Sequence, residues 1–446
     1  MHPRALLDLS AELLASVLKF DQATDAVVAQ FGREHRNLGP RERHWLADVV
    51  YRVLREKPLL EWLAQSQPLP LAQAPAKPGP HRKGPMVTPA RLALNRQLAI
   101  LAMRSDEPWQ QQTLNAEEQA WLASCSALLA PSAGATTPPQ AQHLLPTWLA
   151  QRLQKQLPHG FDALAASLNL PATLDLRVNP LKHKRQAVQP LLAQEGVQAE
   201  PTPYAPLGLR VQGKPSLQKL KLFTDGVVEV QDEGSQLLTL LLEAKRNETV
   251  VDFCAGAGGK TLGLGVAMRN TGRLYAFDTS AHRLEALQPR LQRSGLTNVH
   301  TMVIGDEADP RLQRMWGKVD RVLVDAPCSG LGTLRRSPDL KWRQTAKTVD
   351  AMPELQLRIL ESAAKLLKPG GRLVYATCSL LQEENEAVVQ AFGQAQREFV
   401  PVDAAAVLQH AGVSHAAGLC QAGNLRLWPH IHGTDGFFAA IWAKKL

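Results

Sequence analysis

TVVDFCAGAGGKT, residues 249–261, decides the fold. A short apolar run from Thr249 to Cys254 passes straight into a loop with glycines at 256, 258 and 259, and the chain beyond it reads as helix. A strand delivered through a glycine turn into a helix is the place where open α/β sheets bind nucleotide-like ligands. Downstream the pattern repeats in RLYAFD (273–278), VHTMVI (299–304), VDRVLVD (319–325) and GRLVYATC (371–378), with helical stretches between. Apolar strands spaced by helices predict a doubly wound, mostly parallel sheet, an α/β fold, over residues 231–446. Two late runs, NLRLWPH (424–430) and GFFAAIWA (436–443), are joined by the polar turn IHGTD and are expected as its antiparallel edge.

Upstream of the loop, LDLRV (174–178) and GLRVQG (208–213) alternate with helical stretches and predict a small α+β segment over 141–230. Residues 4–64 read as helix: Leu6, Leu7, Leu13, Leu14, Val17 and Leu18 recur at three- and four-residue spacing, as do Trp45, Leu46, Val49, Val50 and Val53. NLGPR (37–41) interrupts them, with Pro40 suited to open the next helix. QPLPLAQAPAKPGPHRKGP (67–85) reads as a loop, helix resumes at 90–104 and 116–130, and PSAGATTPP (131–139) reads as a linker. An all-helical domain over 1–140 is therefore expected.

Composition narrows the class. A chain of 446 residues allows two or three domains, and 45% apolar with 20% charged residues excludes a wholly disordered one. Fifty Lys plus Arg against 41 Asp plus Glu leave +9, which suits a polyanion partner. With only 5% aromatic residues, contacts to such a partner would rest on Arg and Lys more than on stacking. The five cysteines, Cys125, Cys254, Cys328, Cys378 and Cys420, form no CxxC pair, so neither a metal site nor a disulfide framework is expected. Dispersed thiols suit a reducing cytoplasm. MHPRALLDLSAELL lacks a signal-peptide layout, and no apolar run is long enough to cross a bilayer. A cytoplasmic monomer without membrane partners is expected.

The glycine loop admits several readings. A dinucleotide fingerprint, GxGxxG, fails because Thr261 stands at its third glycine position. A phosphate-binding GxxxxGK[ST] loop keeps the trailing GKT but has Cys254 where its first glycine belongs, and RVLVD (321–325) imitates the acidic strand that accompanies such loops. A tight turn without ligand is the plainest reading. The acidic residues favour another. Asp278 ends the next strand, where it can accept both hydroxyls of a ribose, and Asp306 follows the third strand, suited to an adenine amino group. Carboxylates at successive strand ends suit adenosine on a cationic sulfonium, that is, S-adenosylmethionine.

Two thiols fall at strand ends, in Asp325-Ala326-Pro327-Cys328 and Thr377-Cys378-Ser379. Cys125, Cys254 and Cys420 read as packing. A thiolate adding to carbon 6 of cytosine makes carbon 5 nucleophilic, helped by a donor at N3 that a protonated Asp325 could provide. A base must then remove the proton from carbon 5. Spacing alone leaves the two thiols interchangeable.

LRVNPLK (176–182), VQDEGSQL (230–237), FCAGAGGKT, DAPCSGLGTLRRSPDLKW (325–342), YATCSL (375–380) with EEN (383–385), and HGTDGFFAA (432–440) follow one another in an order that resembles the Fmu/Sun (RsmB-type) RNA cytosine-5 methyltransferases. The resemblance covers at least 174–446 and implies a Rossmann-like class I methyltransferase domain. It implies Cys378 as nucleophile, Cys328 as the thiol that assists release, and S-adenosylmethionine bound by Cys254, Ala255, Gly256, Ala257, Gly258, Gly259, Lys260, Asp278, Arg283, Asp306 and Asp325. The family loop reads CAAPGGKT; Gly256 and Ala257 replace its Ala-Pro, which should alter cofactor affinity modestly. LGPRERHWLADVVYRVLR (38–55) resembles the NusB-like RNA-binding domain of ribosomal RNA members, with 67–85 as an insertion.

Two basic groups are candidates for RNA contact: Arg335, Arg336 and Lys341 after the PC motif, and Arg177, Asn179 and Lys182 with Lys184 and Arg185 nearby. A cytosine must be turned out of a stem to meet a thiol, so a looped or unfolded RNA is expected. The leading expectation is a methyltransferase acting on 16S ribosomal RNA. A transfer RNA substrate, a P-loop NTPase and a non-catalytic RNA-binding assembly factor are the alternatives.

Overall fold

The computed structural model describes residues 1–69, 89–130, 137–213 and 215–446; the proline-rich 67–85 stretch and the 131–139 linker lie largely outside them. The chain divides into two compact units: residues 1–169 with 337–345, and residues 170–336 with 346–446.

The first unit is helical. Pro3–Val17, Thr24–Glu34, Pro40–Ser66, Pro89–Ala102, Glu107–Thr113 and Ala116–Ala127 are its main helices, and Pro40 stands at the first turn of its helix as expected. Leu7, Leu14, Val49, Val53, Leu60, Leu98 and Leu101 are fully buried among them, so the three- and four-residue spacing does mark the core face. Three further helices, Pro139–His143, Thr147–Gln156 and Phe161–Leu168, belong to this unit too. The expected boundary near 140 falls inside this unit, where Leu145, Leu149, Leu153 and Leu164 bury the apolar stripe of these short helices.

The second unit carries two sheets. Strands β1 (Leu174–Val178), β2 (Ala199–Pro201), β3 (Gly208–Val211) and β4 (Val228–Val230) form an antiparallel sheet in the order β2-β3-β1-β4. The larger sheet holds β5 (Thr249–Asp252), β6 (Arg273–Asp278), β7 (Val299–Val303), β8 (Val319–Asp325), β9 (Leu367–Thr377), β10 (Phe399–Val402), β11 (Cys420–Gln421), β12 (Asn424–Leu427) and β13 (Phe437–Lys444). Its order is β11-β12-β13-β9-β8-β5-β6-β7, with β10 also against β13. The five strands from β9 to β7 run parallel, and β13 pairs antiparallel to β9. The late strands are thus antiparallel as expected, but β13 lies inside the sheet, between β9 and β12. NLRLWPH stops as a strand at Leu427, since Pro429 opens a turn of helix to His432.

Period-two alternation sorts the core into two layers. Val374, Ala376, Phe437, Ala439 and Ile441 pack with the helices Glu233–Leu241 and Gly259–Ala267 on one face. Leu373, Tyr375, Phe438, Ala440 and Trp442 pack with the helices Met352–Leu366 and Glu386–Ala395 on the other. Chain order reverses between β5 and β8, and the crevice at the carboxyl ends of strands around that switch point is where ligands bind. Among the described residues no helix is long and apolar enough to cross a membrane.

Candidate active site

The glycine loop leaves β5 at that switch point. Gly256 (φ 55°) and Gly258 (φ 82°) both take the left-handed conformation. A Cβ on Gly258 would stand 2.0 Å from Leu287, so this position admits glycine alone, whereas a Cβ on Gly256 would meet nothing within 4 Å. The loop is therefore packed from behind at Gly258 and open at Gly256. Gly256 carries the departure from the family loop, and its backbone takes a conformation that alanine adopts at a cost of about 1 kcal/mol. Two arginines brace the loop through its carbonyls: Arg177 donates to Gly259 at 2.8 Å and Arg290 to Ala257 at 2.6 Å.

Asp278, at the end of β6, accepts the Gly256 amide on Oδ2 and the Ser280 amide on Oδ1, each at 2.8 Å. A carboxylate has about four acceptor sites, so about two stay open toward a ligand. Asp306 is exposed beyond β7 and accepts the Ala308 amide; Arg283 is exposed in the first turn of the helix Ala281–Ser294. Sequence reading passed over Asp252. It is fully buried at the end of β5, takes the Thr261 hydroxyl at 2.7 Å on Oδ2, and has no partner for Oδ1 among the described residues. Burial raises its pKa to about 7. An acid inside the apolar run TVVDFC was the signal available for it.

Charge decides what this crevice accepts. Burial, followed by the negative charges of Asp252, Asp325 and Asp278, holds the Cys254 thiol well above its ordinary pKa. Cys254 is thus a protonated packing thiol, among three carboxylates. Lys260 is ion-paired to Asp325 at 2.7 Å, and the Thr261 hydroxyl is taken by Asp252. The lysine and threonine that a phosphate loop needs are both engaged, in a ring of acids that repels polyphosphate. An open glycine, vacant carboxylate lone pairs and surplus negative charge fit a cationic, hydroxyl-bearing ligand instead. They fit S-adenosylmethionine.

Asp325 ends β8 and Cys328 follows it, and Cys378 follows β9, its neighbour in the sheet. The two sulfurs stand 3.4 Å apart. Hydrogen bonding to the Cys378 sulfur, then burial, then the negative charges of Cys378 and Glu384 push the Cys328 thiol well above its ordinary pKa. Burial opposes the Lys260 ammonium, but the charge of Asp325 and its hydrogen bond outweigh that, and Cys378 adds to them, so the Lys260 pKa is raised. Asp325 is the acceptor in this bond. The Lys260 ammonium thus stands beside Asp325 as a further donor in the crevice.

Most of the basic residues expected to meet RNA turn inward. Arg335, 8% exposed, donates to the carbonyls of Gly433, Thr434 and Pro171. Arg336 is ion-paired to Asp232 and Asp435 and donates to Thr173 O. Lys341, 1% exposed, donates to Arg55 O at 3.0 Å, Leu144 O at 2.8 Å and Asn169 Oδ1 at 2.7 Å, all within the helical unit. Arg177 bonds Gln231 as well as Gly259 O, and Asn179 donates to Gly226 O and Ser294 O. Most donors of these five are thus engaged by protein acceptors, a structural role that competes with the expected phosphate contact. Lys182 is exposed but donates to Asp225 O and to Arg293 O at 2.7 Å, whereas Lys184 is exposed at the start of its helix.

The chain resembles known proteins over most of its length. The family model "16S rRNA methyltransferase RsmB/F" matches residues 239–443, and that of the RsmF/B-like ferredoxin-like domain matches 145–218. The ribosomal RNA small subunit methyltransferase B of Sodalis glossinidius is 31% identical over 450 residues, covering 98% of this chain and 97% of the relative. A probable ribosomal RNA small subunit methyltransferase B of Synechocystis sp. is 36% identical over 305 residues, 68% of this chain and 67% of the relative. Among solved structures, PH0851 superposes with a TM-score of 0.75 at 25% identity, covering 99% of this chain and 98% of that one.

Proposed function

The chain belongs to the family of 16S rRNA methyltransferases RsmB/F, and from that premise we propose that it methylates carbon 5 of a cytosine in small-subunit ribosomal RNA through a covalent adduct on Cys378. The observation that carries this reading is the pair of sulfurs 3.4 Å apart at the ends of β8 and β9. S-adenosylmethionine is the cofactor and supplies an electrophilic methyl group when bound. The loop 254–260, Asp278, Arg283 and Asp306 would hold it, with Asp252 beneath.

Cys378 attacks carbon 6 of the base, assisted by the Cys328 S–H as hydrogen-bond donor and by the nearby Lys260 ammonium. Lys260 and Asp325, held together, offer one donor and one acceptor to the polar edge of a cytosine, which presents an amino donor and two acceptors. Cys328 serves the release step. Having given its own proton to solvent, the Cys328 sulfur, a strong base because it holds a proton tightly, takes the carbon-5 proton; the C–H electron pair re-forms the 5,6 double bond and the carbon 6–sulfur bond breaks, releasing Cys378 as a thiolate. The helical unit, 1–169 with 337–345, is read as an RNA-binding module.

Denaturing gels on the two single variants test the roles. Cys378→Ala should be inactive and leave RNA free, whereas Cys328→Ala should accumulate a denaturant-resistant protein–RNA complex. A complex seen only in the Cys378 variant reverses the roles, and two fully active variants exclude the covalent route.

A further inference from the structure

Glu384 is fully buried, and its carboxylate is held by four neutral donors. Oε1 accepts the Ser329 amide at 2.8 Å and the Gln356 amide group at 3.1 Å; Oε2 accepts the hydroxyls of Ser329 and Ser379. These serines directly follow Cys328 and Cys378, and their hydroxyls stand 3.2 Å apart. Gln356 also donates to Pro327 O at 3.0 Å, on the other side of Cys328. Asn385 completes the arrangement around Cys378: its side chain accepts the Thr377 hydroxyl and donates to Ser379 O at 3.0 Å. A buried carboxylate is expensive unless every lone pair is occupied, and four donors occupy this one. Either loop alone supplies too few.

Building on the covalent reading above, we propose that Glu384 is the positioning residue of the reaction: one carboxylate clips together the serines that follow the two cysteines and thereby sets the spacing of both sulfurs. Its charge has a second effect, since it is among the causes that hold the Cys328 proton. EEN was visible in the sequence, but nothing local assigned Glu384 to two loops 55 and 5 residues away.

The test uses the full chain. Glu384→Gln keeps the volume and removes the charge. With S-adenosylmethionine affinity and KM for RNA within about twofold of the parent, kcat should fall at least about tenfold, the loss expected of misplaced reacting groups. Independently of activity, alkylation of Cys328 by iodoacetamide, followed by mass spectrometry against pH in a Cys378→Ala background, should shift to lower pH in Glu384→Gln. Ser379→Ala keeps the charge and opens half of the clip, so kcat should fall without that pH shift. It also decides the matter if Glu384→Gln does not fold. Parental kcat in Ser379→Ala, or an unmoved Cys328 profile in a folded Glu384→Gln, overturns the proposal. If the parent methylates no RNA cytosine, the functional reading fails, while the alkylation profile still reports whether Glu384 governs Cys328.

Discussion

Asp278 and Lys341 were both expected to touch a ligand, and the structure treats them oppositely. Both are buried, Asp278 at 6% exposure and Lys341 at 1%. Asp278 accepts two amides and keeps about half of its acceptor capacity. The Lys341 amino group, whose pKa burial lowers, is surrounded by three acceptors, Arg55 O, Leu144 O and Asn169 Oδ1, so nothing is left for phosphate. Burial alone therefore does not separate a site residue from a structural one. Unfilled hydrogen-bonding capacity facing open space does. Arg336 falls with Lys341 by this measure; Asp252 keeps an unpartnered Oδ1 but is fully buried beneath the loop, away from open space.

The strongest way to break the comparison is to remove Lys341. Lys341→Met preserves much of the volume but leaves three buried acceptors without a donor, and should cost about 3 kcal/mol of stability in denaturant unfolding. The salt dependence of RNA binding should stay as it was. A stable variant with a weakened salt dependence would restore Lys341 to the RNA surface.

Asp278→Ala should weaken S-adenosylmethionine binding roughly ten- to a hundredfold by calorimetry, because buried hydrogen bonds to a charged group are worth about 1.5–3 kcal/mol. Unaltered affinity in a folded variant would mean that its open lone pairs face solvent only.

Asp252 sharpens the same point through pH. Its folded pKa, about 7, lies above the ordinary carboxylate value, so the folded state keeps a proton that the unfolded chain releases. Stability conferred at low pH is then lost as pH rises toward 7. Between pH 5 and 7 the parent should lose about 2 kcal/mol more than Asp252→Asn. Equal slopes would show that Asp252 ionises like an exposed acid.

The smallest effect is expected from an exposed cation. Replacing Lys184 with Ala should flatten the slope of log affinity for single-stranded RNA against log salt by about 0.7 for the one phosphate no longer neutralised. Replacing Arg335 should leave that slope alone. The opposite pattern would invert the assignment of the two basic groups.

Patterns of short range carried much of this protein. Apolar runs ending at Cys254, Asp278, Asp325 and Cys378 marked the carboxyl ends of β5, β6, β8 and β9 to within two residues, because strand periodicity and strand-to-helix turns are local. Cys328 and Cys378 were legible for the same reason, each at a strand end, and adjacent strands in a parallel sheet bring such ends together. The placing of β13 inside the sheet was not legible, since an antiparallel return strand reads alike at an edge or between neighbours. Nor were the fates of the charged side chains. Lys341 finds its acceptors 286, 197 and 172 residues away, Arg336 pairs with an acid 104 residues away, and Glu384 joins loops that precede it by 55 and 5 residues. Whether a polar atom meets a ligand or a neighbour depends on which partners the fold delivers to it, and those partners leave no mark on the residues beside it in the chain.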